Sequence, residues 1–74
     1  MRVINLVDGI DVQYEYFNLM IIRTSDGFFE IIACNNFTSK KVTIATCDKL
    51  NDAETIMKNI GLAYEKGVKS YFIE

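Results

Sequence analysis

The stretch from Leu19 to Cys47 constrains the fold most, because it contains three consecutive segments typical of β-strands. These segments, LMIIRT, FFEIIAC and KVTIATC, are rich in β-branched and aromatic residues. Asp26 and Gly27 separate the first two segments, and Asp-Gly favours a two-residue type I′ hairpin loop. The sequence therefore predicts an antiparallel β-meander over residues 19–47.

A two-residue loop also predicts the register of this hairpin. It places Arg23 opposite Glu30, so that opposite charges face each other. One face, expected to be the core face, then carries Met20, Ile22, Phe29, Ile31 and Ala33. The other face carries the Arg23–Glu30 pair together with Leu19, Ile21, Ile32 and Cys34. In the third strand, pairing Ala33 with Val42 predicts Val42, Ile44 and Thr46 on the core face, and Thr43, Ala45 and Cys47 on the second. A sheet with one solvated face alternates apolar and polar residues, so a second apolar face requires a cover.

A single amphipathic helix is predicted from Asp52 to Lys66. Asn51 is its expected N-cap, with Glu54 completing a capping box, and Gly67 is its expected C′ residue. At 100° per residue one stripe of the helix is apolar, formed by Ala53, Ile56, Met57, Ile60, Ala63 and Tyr64. This stripe is expected to pack on the core face of the sheet.

The two ends of the chain predict shorter strands. Residues 2–7 and 10–17 flank Asp8-Gly9 and favour a first hairpin, while residues 68–73 favour a closing strand beside the N-terminal one. The first hairpin either covers the second face or adds a strand to the sheet. The chain is thus predicted to be one α+β domain spanning 1–74, an antiparallel sheet of four to six strands with the helix 52–66 on one face.

Composition excludes several function classes. The net charge is −2 and there is no histidine, so the usual pairing of a serine or cysteine nucleophile with histidine cannot form. No glycine-rich phosphate motif or metal-ligand spacing is present, so we expect a non-enzyme without cofactor or metal. The predicted register separates Cys34 and Cys47 by roughly 20 Å, too far for a disulfide. Two reduced thiols, no signal peptide and no apolar run long enough for a membrane span predict a cytoplasmic protein.

The second apolar face therefore carries the functional hypothesis. A domain of this size has a small core and often requires an additional source of stability. We expect a small non-catalytic protein that binds another protein, either as a homodimer or as an adaptor or inhibitor. The candidate interface consists of Leu19, Ile21, Ile32, Cys34, Phe37 and Leu62.

The alternative hypothesis is a weak single-stranded nucleic-acid-binding protein. Lys40 and Lys41, with Phe37 and Tyr71 as stacking residues, would form its surface. The negative net charge makes this the less favoured hypothesis.

Overall fold

The computed structural model describes residues 1–73 and contains, within them, six strands and one α-helix. The strands are β1 (Arg2–Asn5), β2 (Ile10–Gln13), β3 (Phe17–Arg23), β4 (Phe29–Asn35), β5 (Lys41–Cys47) and β6 (Ser70–Phe72), and the helix is α1 (Leu50–Glu65). The α+β class is confirmed. Within residues 1–73, no helix is both long enough and apolar enough to cross a membrane.

The strands form two sheets of three, rather than the single sheet expected from the sequence. Their orders are β2-β1-β6 and β3-β4-β5. The 3₁₀ turn Tyr14–Tyr16 interrupts the chain between β2 and β3, so the second strand of the first hairpin stops before it can join the meander. The first hairpin is present, with Asn5 opposite Ile10 across its loop. As expected, β6 lies beside β1, and the two strands run parallel.

One hydrophobic core joins both sheets and the helix. Its largest fully buried side chains come from four elements: Val3 in β1, Ile31 in β4, Ile44 in β5 and Ile60 in α1. The smaller sheet and α1 therefore pack against the same side of the β3-β4-β5 sheet. The helix side is the core face, and we call the opposite side the outer face.

The hairpin between β3 and β4 has a three-residue loop, which corrects the predicted register. The amide of Gly27 donates to the carbonyl of Thr24 (3.1 Å), and the amide of Thr24 donates to the carbonyl of Phe28 (2.9 Å). Gly27 has a φ of +87°, so a type I turn is followed by a left-handed glycine. The hydroxyl of Thr24 also accepts from the amide of Phe28 (3.1 Å). Arg23 consequently pairs with Phe29 instead of Glu30.

This one-residue shift exchanges the two faces of β3. Leu19 and Ile21 lie on the core face, whereas Met20 and Ile22 lie on the outer face. A shift of one residue reverses every side chain because strand side chains alternate. The faces predicted for β4 are correct, since Ile31 is fully buried in the core.

A β-bulge in β5 corrects the predicted faces of the third strand. Ile31 pairs with Ala45 and Ile32 pairs with Thr43, which leaves Ile44 as an extra residue. Ile44 and Ala45 are both buried in the core, and Cys47 packs against it. Beyond the bulge the alternation is reversed, so Ala45 and Cys47 face inward, not outward as predicted, and Thr46 is exposed.

The two ends of α1 differ in how well they were predicted. The helix begins at Leu50, and its N-cap is Lys49, which makes no side-chain capping bond, so the capping box expected at Asn51 is wrong. The C-terminal prediction is confirmed. Gly67, at a φ of +76°, donates to the carbonyl of Tyr64 (3.0 Å), and Val68 donates to that of Ala63 (3.1 Å), as in a Schellman motif.

Candidate protein-interaction surface

The outer face of the β3-β4-β5 sheet is apolar on one half only. Its cross-strand rows are Met20–Ile32–Thr43, Ile22–Glu30–Thr46 and Asn18–Cys34–Lys41. Every residue that β5 contributes is polar, whereas β3 and β4 contribute an apolar set that we call the outer patch: Met20, Ile22, Ile32 and Cys34. The outer patch therefore lies off centre, toward β3.

Exposure within the outer patch increases toward the β3 edge. Ile32 retains only 7% of its surface although it is outside the core cluster, because neighbouring strands flank it on both sides. Met20 and Ile22 are 39% and 40% exposed. Burial of apolar surface stabilises a complex by about 25 cal/mol per Å², so these two side chains are the energetically useful part of the face.

An aromatic pair stands at the Asn18–Cys34 end of the same sheet. Phe37 lies in the β4–β5 loop, where the side chain of Asn35 accepts from the amide of Phe37 (2.8 Å). Its ring meets that of Tyr16 edge-on at 5.9 Å between centroids, while 80% of Phe37 remains exposed. Phe37 thus packs beside the start of β3 and still presents most of its ring to a partner.

The residues predicted as an interface do not share one surface. Ile32 and Cys34 lie on the outer face as expected. Leu19 and Ile21 lie on the core face, half-buried, because of the register shift described above. Leu62 is 41% exposed on α1, which packs against the opposite side of the sheet.

The sequence interpretation missed Met20 and Ile22. The sequence signal for the correct face is the spacing of Thr24 and Gly27. Gly27 lies three positions after Thr24, which fits a type I turn that ends in a left-handed glycine, as in the three-residue loop seen here. Both loop lengths are compatible with Asp-Gly, and the apparent match between Arg23 and Glu30 favoured the wrong one.

The edge of β5 that faces away from β4 is contacted by Asn5 of β1. The side-chain amide of Asn5 donates to the carbonyl of Ile44 in the bulge (2.8 Å) and to a carboxylate oxygen of Asp8 (3.1 Å). Asn5 is 7% exposed, and it is the one buried polar residue in the described part of the chain. Lys40 and Lys41 add charge at the start of this strand, and charges and bulges both disfavour edge pairing.

The edge of β3 is open. Both backbone groups of Thr24 bond toward β4, and the carbonyl of Tyr16 accepts from Asn36 (2.9 Å) at the other end of the strand. Backbone direction alternates along a strand, so the even-numbered residues between them also point toward β4. The N–H and C=O groups of Leu19, Ile21 and Arg23 therefore point away from the sheet.

A depression of about 400 Å³ lies beside β3 on the core-face side. It is lined by Tyr14, Glu15, Phe17, Asn18, Leu19, Asn36, Met57 and Tyr64. The rings of Tyr14 and Tyr64 are 4.8 Å apart. The carboxylate of Glu15 accepts from the α-amino group of Met1 (2.6 and 2.7 Å), which holds the pKa of Glu15 below its usual range. This depression thus combines aromatic walls with an ionised carboxylate that is paired with the α-amino group of Met1.

The side chains most often used for metal binding and nucleophilic chemistry are dispersed in this structure. Within residues 1–73, no three side chains of the metal-binding types lie close enough to share an ion. Cys34 and Cys47 are free, and burial, with Asp52 and Asp48 nearby, raises the pKa of the Cys47 thiol. Comparison with known protein families, curated proteins and solved structures finds no match to this chain.

The residues of the nucleic-acid hypothesis are divided between the two sheets. Lys41 begins β5, and Phe37 and Lys40 precede it in the loop, whereas Tyr71 lies in β6 and packs against the core. A stacking platform needs several exposed aromatic rings on one surface. We therefore base the functional proposal on the outer patch and the β3 edge.

Proposed function

We propose that this protein is a non-catalytic interaction module that binds another protein through the outer patch and the adjoining edge of β3. The observation that carries the proposal is that Met20 and Ile22 are exposed beside a strand edge whose backbone groups are unpaired within the sheet. The partner is either a second copy of the chain or a different protein.

Two kinds of contact are available at the same place. The edge of β3 supplies directional hydrogen bonds, as in complexes formed by adding a strand to a sheet. The outer patch supplies apolar surface, which gives affinity, and the polar β5 half of the face supplies a solvated rim, as is usual around interface cores. A partner that uses both contacts would cover the most exposed apolar side chains of the larger sheet.

Photo-cross-linking tests this function. A benzophenone side chain replaces Ile22 on the outer face, and a matched variant carries it at Lys58, which is exposed on α1. Irradiation of the source cells should yield a covalent adduct with one defined protein, of either kind, from position 22 and none from position 58. Equal labelling from both positions, or none from position 22, would contradict the proposal.

We also propose that the protein works in a reducing compartment, the cytoplasm. Cys34 and Cys47 sit at opposite ends of the β4–β5 pair, opposite Lys41 and Phe29, and both are free. Free thiols without a disulfide partner are typical of proteins in reducing compartments. Thiol labelling of protein extracted under acid quench should find both cysteines reduced.

A further inference from the structure

We infer that a second copy of this chain pairs with the β3 edge, antiparallel and about a two-fold axis, so that two three-stranded sheets become one of six strands. This inference rests on the proposed function and names its partner. Two-fold symmetry is also the commonest symmetry of homo-oligomers, and in such a dimer each copy contributes the same surface.

The two edges of the β3-β4-β5 sheet differ, and the difference favours β3 as the edge that pairs with a second copy. This strand pairs with β4 in unbroken register from Phe17 to Arg23, and its single charge is at its last residue. Natural sheets protect exposed edges with bulges, prolines and central charges. The β5 edge has a bulge, two lysines and the Asn5 contact, whereas β3 has an uninterrupted run of uncharged residues from 17 to 22.

The outward backbone groups determine the register. Leu19, Ile21 and Arg23 point away from β4, so hydrogen-bonded pairs across the new interface must join residues of this odd-numbered set. Overlap of all seven residues of β3 then pairs Leu19 with the partner's Ile21 and places Met20 on the two-fold axis, opposite the partner's Met20. The result is a continuous ladder along the whole strand.

This register also joins the two outer patches. Met20 meets the partner's Met20 on the outer face, and Ile22 lies opposite the partner's Asn18, next to that central pair. The exposed sides of Met20 and Ile22, 39% and 40% of their surfaces, adjoin across the axis. On the core face, the half-buried Leu19 and Ile21 gain neighbours from the partner's β3.

Charge favours the antiparallel arrangement over a parallel one. Antiparallel pairing puts the partner's Arg23 opposite Phe17, at the depression whose rim is Glu15 and whose walls include Tyr14. Arg23 forms no ion pair with any carboxylate of residues 1–73. The charge of Glu15 is already compensated by the α-amino group of Met1, and the carboxylate also accepts from Gln13. A carboxylate has about four acceptor positions, so a guanidinium from the partner can add a further hydrogen bond there. Parallel pairing would instead bring both Arg23 residues to the same end of the interface, where their like charges repel.

Disulfide trapping tests the register directly. In a Cys34→Ser, Cys47→Ala background, Met20→Cys puts two thiols on the axis, where opposed Cα atoms of a non-hydrogen-bonded pair are about 4.5 Å apart and within disulfide range. Asn18→Cys is the matched control on the same strand and face. Its two copies would be about 14 Å apart, four residues at about 3.4 Å each. Mild oxidation should yield a covalent dimer from Met20→Cys only. A monomer from Met20→Cys, or equal dimer from both variants, would overturn the inference.

Backbone methylation tests the edge itself without changing a side chain. Chemical synthesis with an N-methyl group on Ile21 removes an outward donor from each copy, while N-methylation of Lys41 makes the same change on the β5 edge. Sedimentation equilibrium should show dimerisation weakened about tenfold or more by the Ile21 modification and unchanged by the Lys41 modification. Circular dichroism verifies that both remain folded. Equal weakening, or no weakening, would contradict pairing through β3.

These results separate the inference from the function on which it rests. One outcome is that the cross-linker at position 22 captures a different protein while Met20→Cys remains monomeric. That result would support the interaction function and would show that the partner is not a second copy of the chain. If position 22 captures nothing and no dimer forms, both are wrong.

Discussion

Asn5 shows how one buried polar side chain can hold two sheets together. Its amide satisfies the carbonyl of Ile44, which lies 39 residues away in the β5 bulge. Removal of a donor leaves a buried acceptor unpaired, which costs about 1–3 kcal/mol. We therefore expect Asn5→Ala to lower the free energy of unfolding by that amount in urea denaturation. Asn59→Ala, on the exposed side of α1, is the control and should change stability by about 0.5 kcal/mol or less.

The Cys47 thiol is expected to be unreactive at neutral pH. Burial and the negative charges of Asp52 and Asp48 disfavour its thiolate, so the pKa of Cys47 is raised. In a Cys34→Ser background, iodoacetamide should modify Cys47 with a pH midpoint above that of free cysteine. Asp52→Asn should lower this midpoint, whereas Glu65→Gln at the other end of α1 should not.

The same pKa shift has a defined effect on stability. Because the folded pKa of Cys47 exceeds the unfolded one, its contribution is complete below the unfolded thiol pKa and is lost as pH rises through the folded pKa. Urea denaturation across this alkaline range should show a smaller decline in stability for Cys47→Ala than for the unmodified chain. Equal declines would mean that Cys47 does not titrate differently in the folded state.

At the scale of elements, two glycines of the helical region should respond in opposite directions to alanine. Gly61 lies inside α1, with nothing within 4 Å of an added Cβ, so Gly61→Ala should stabilise the fold by about 0.5–1 kcal/mol. Gly67 has a φ of +76°, where a Cβ is strained, so Gly67→Ala should destabilise by about 1–2 kcal/mol. Thermal unfolding should shift in opposite directions, by about 4–8 °C per kcal/mol. Shifts of the same sign would contradict this difference.

Elements were predictable where a local signal was unambiguous. The C-terminal end of α1 was predicted because the left-handed position that ends a helix favours glycine, and Gly67 follows the apolar stripe. Its N-terminal end was not, because Lys49 caps the helix without a side-chain bond and Asn51 inside the first turn resembled a better cap. The β3–β4 register was missed because Asp-Gly fits loops of two and three residues, which differ by one step in pairing.

At the scale of the whole molecule, the fold class and the apolar helix stripe were predictable, but the division into two sheets was not. A short 3₁₀ turn at 14–16 ends one sheet before the next begins, and no periodic pattern marks it. The β5 bulge likewise has no local sequence signal, and its residue Ile44 is bonded by Asn5 from a distant strand. Of the residues predicted for an interface, Ile32 and Cys34 lie on the predicted face, whereas Leu19 and Ile21 lie on the core face.

Stability and association should therefore be separable by truncation on the two faces of the larger sheet. Ile31 is fully buried in the core, so Ile31→Ala should lower the free energy of unfolding by about 2–5 kcal/mol. Ile22 is 40% exposed on the outer face, so Ile22→Ala should cost the monomer about 1 kcal/mol or less while weakening self-association. Urea denaturation at a concentration that keeps the protein monomeric gives the first quantity, and sedimentation equilibrium gives the second. If Ile22→Ala destabilised the monomer as much as Ile31→Ala, the outer face would be part of the core of a single chain, and it would not be available to a partner.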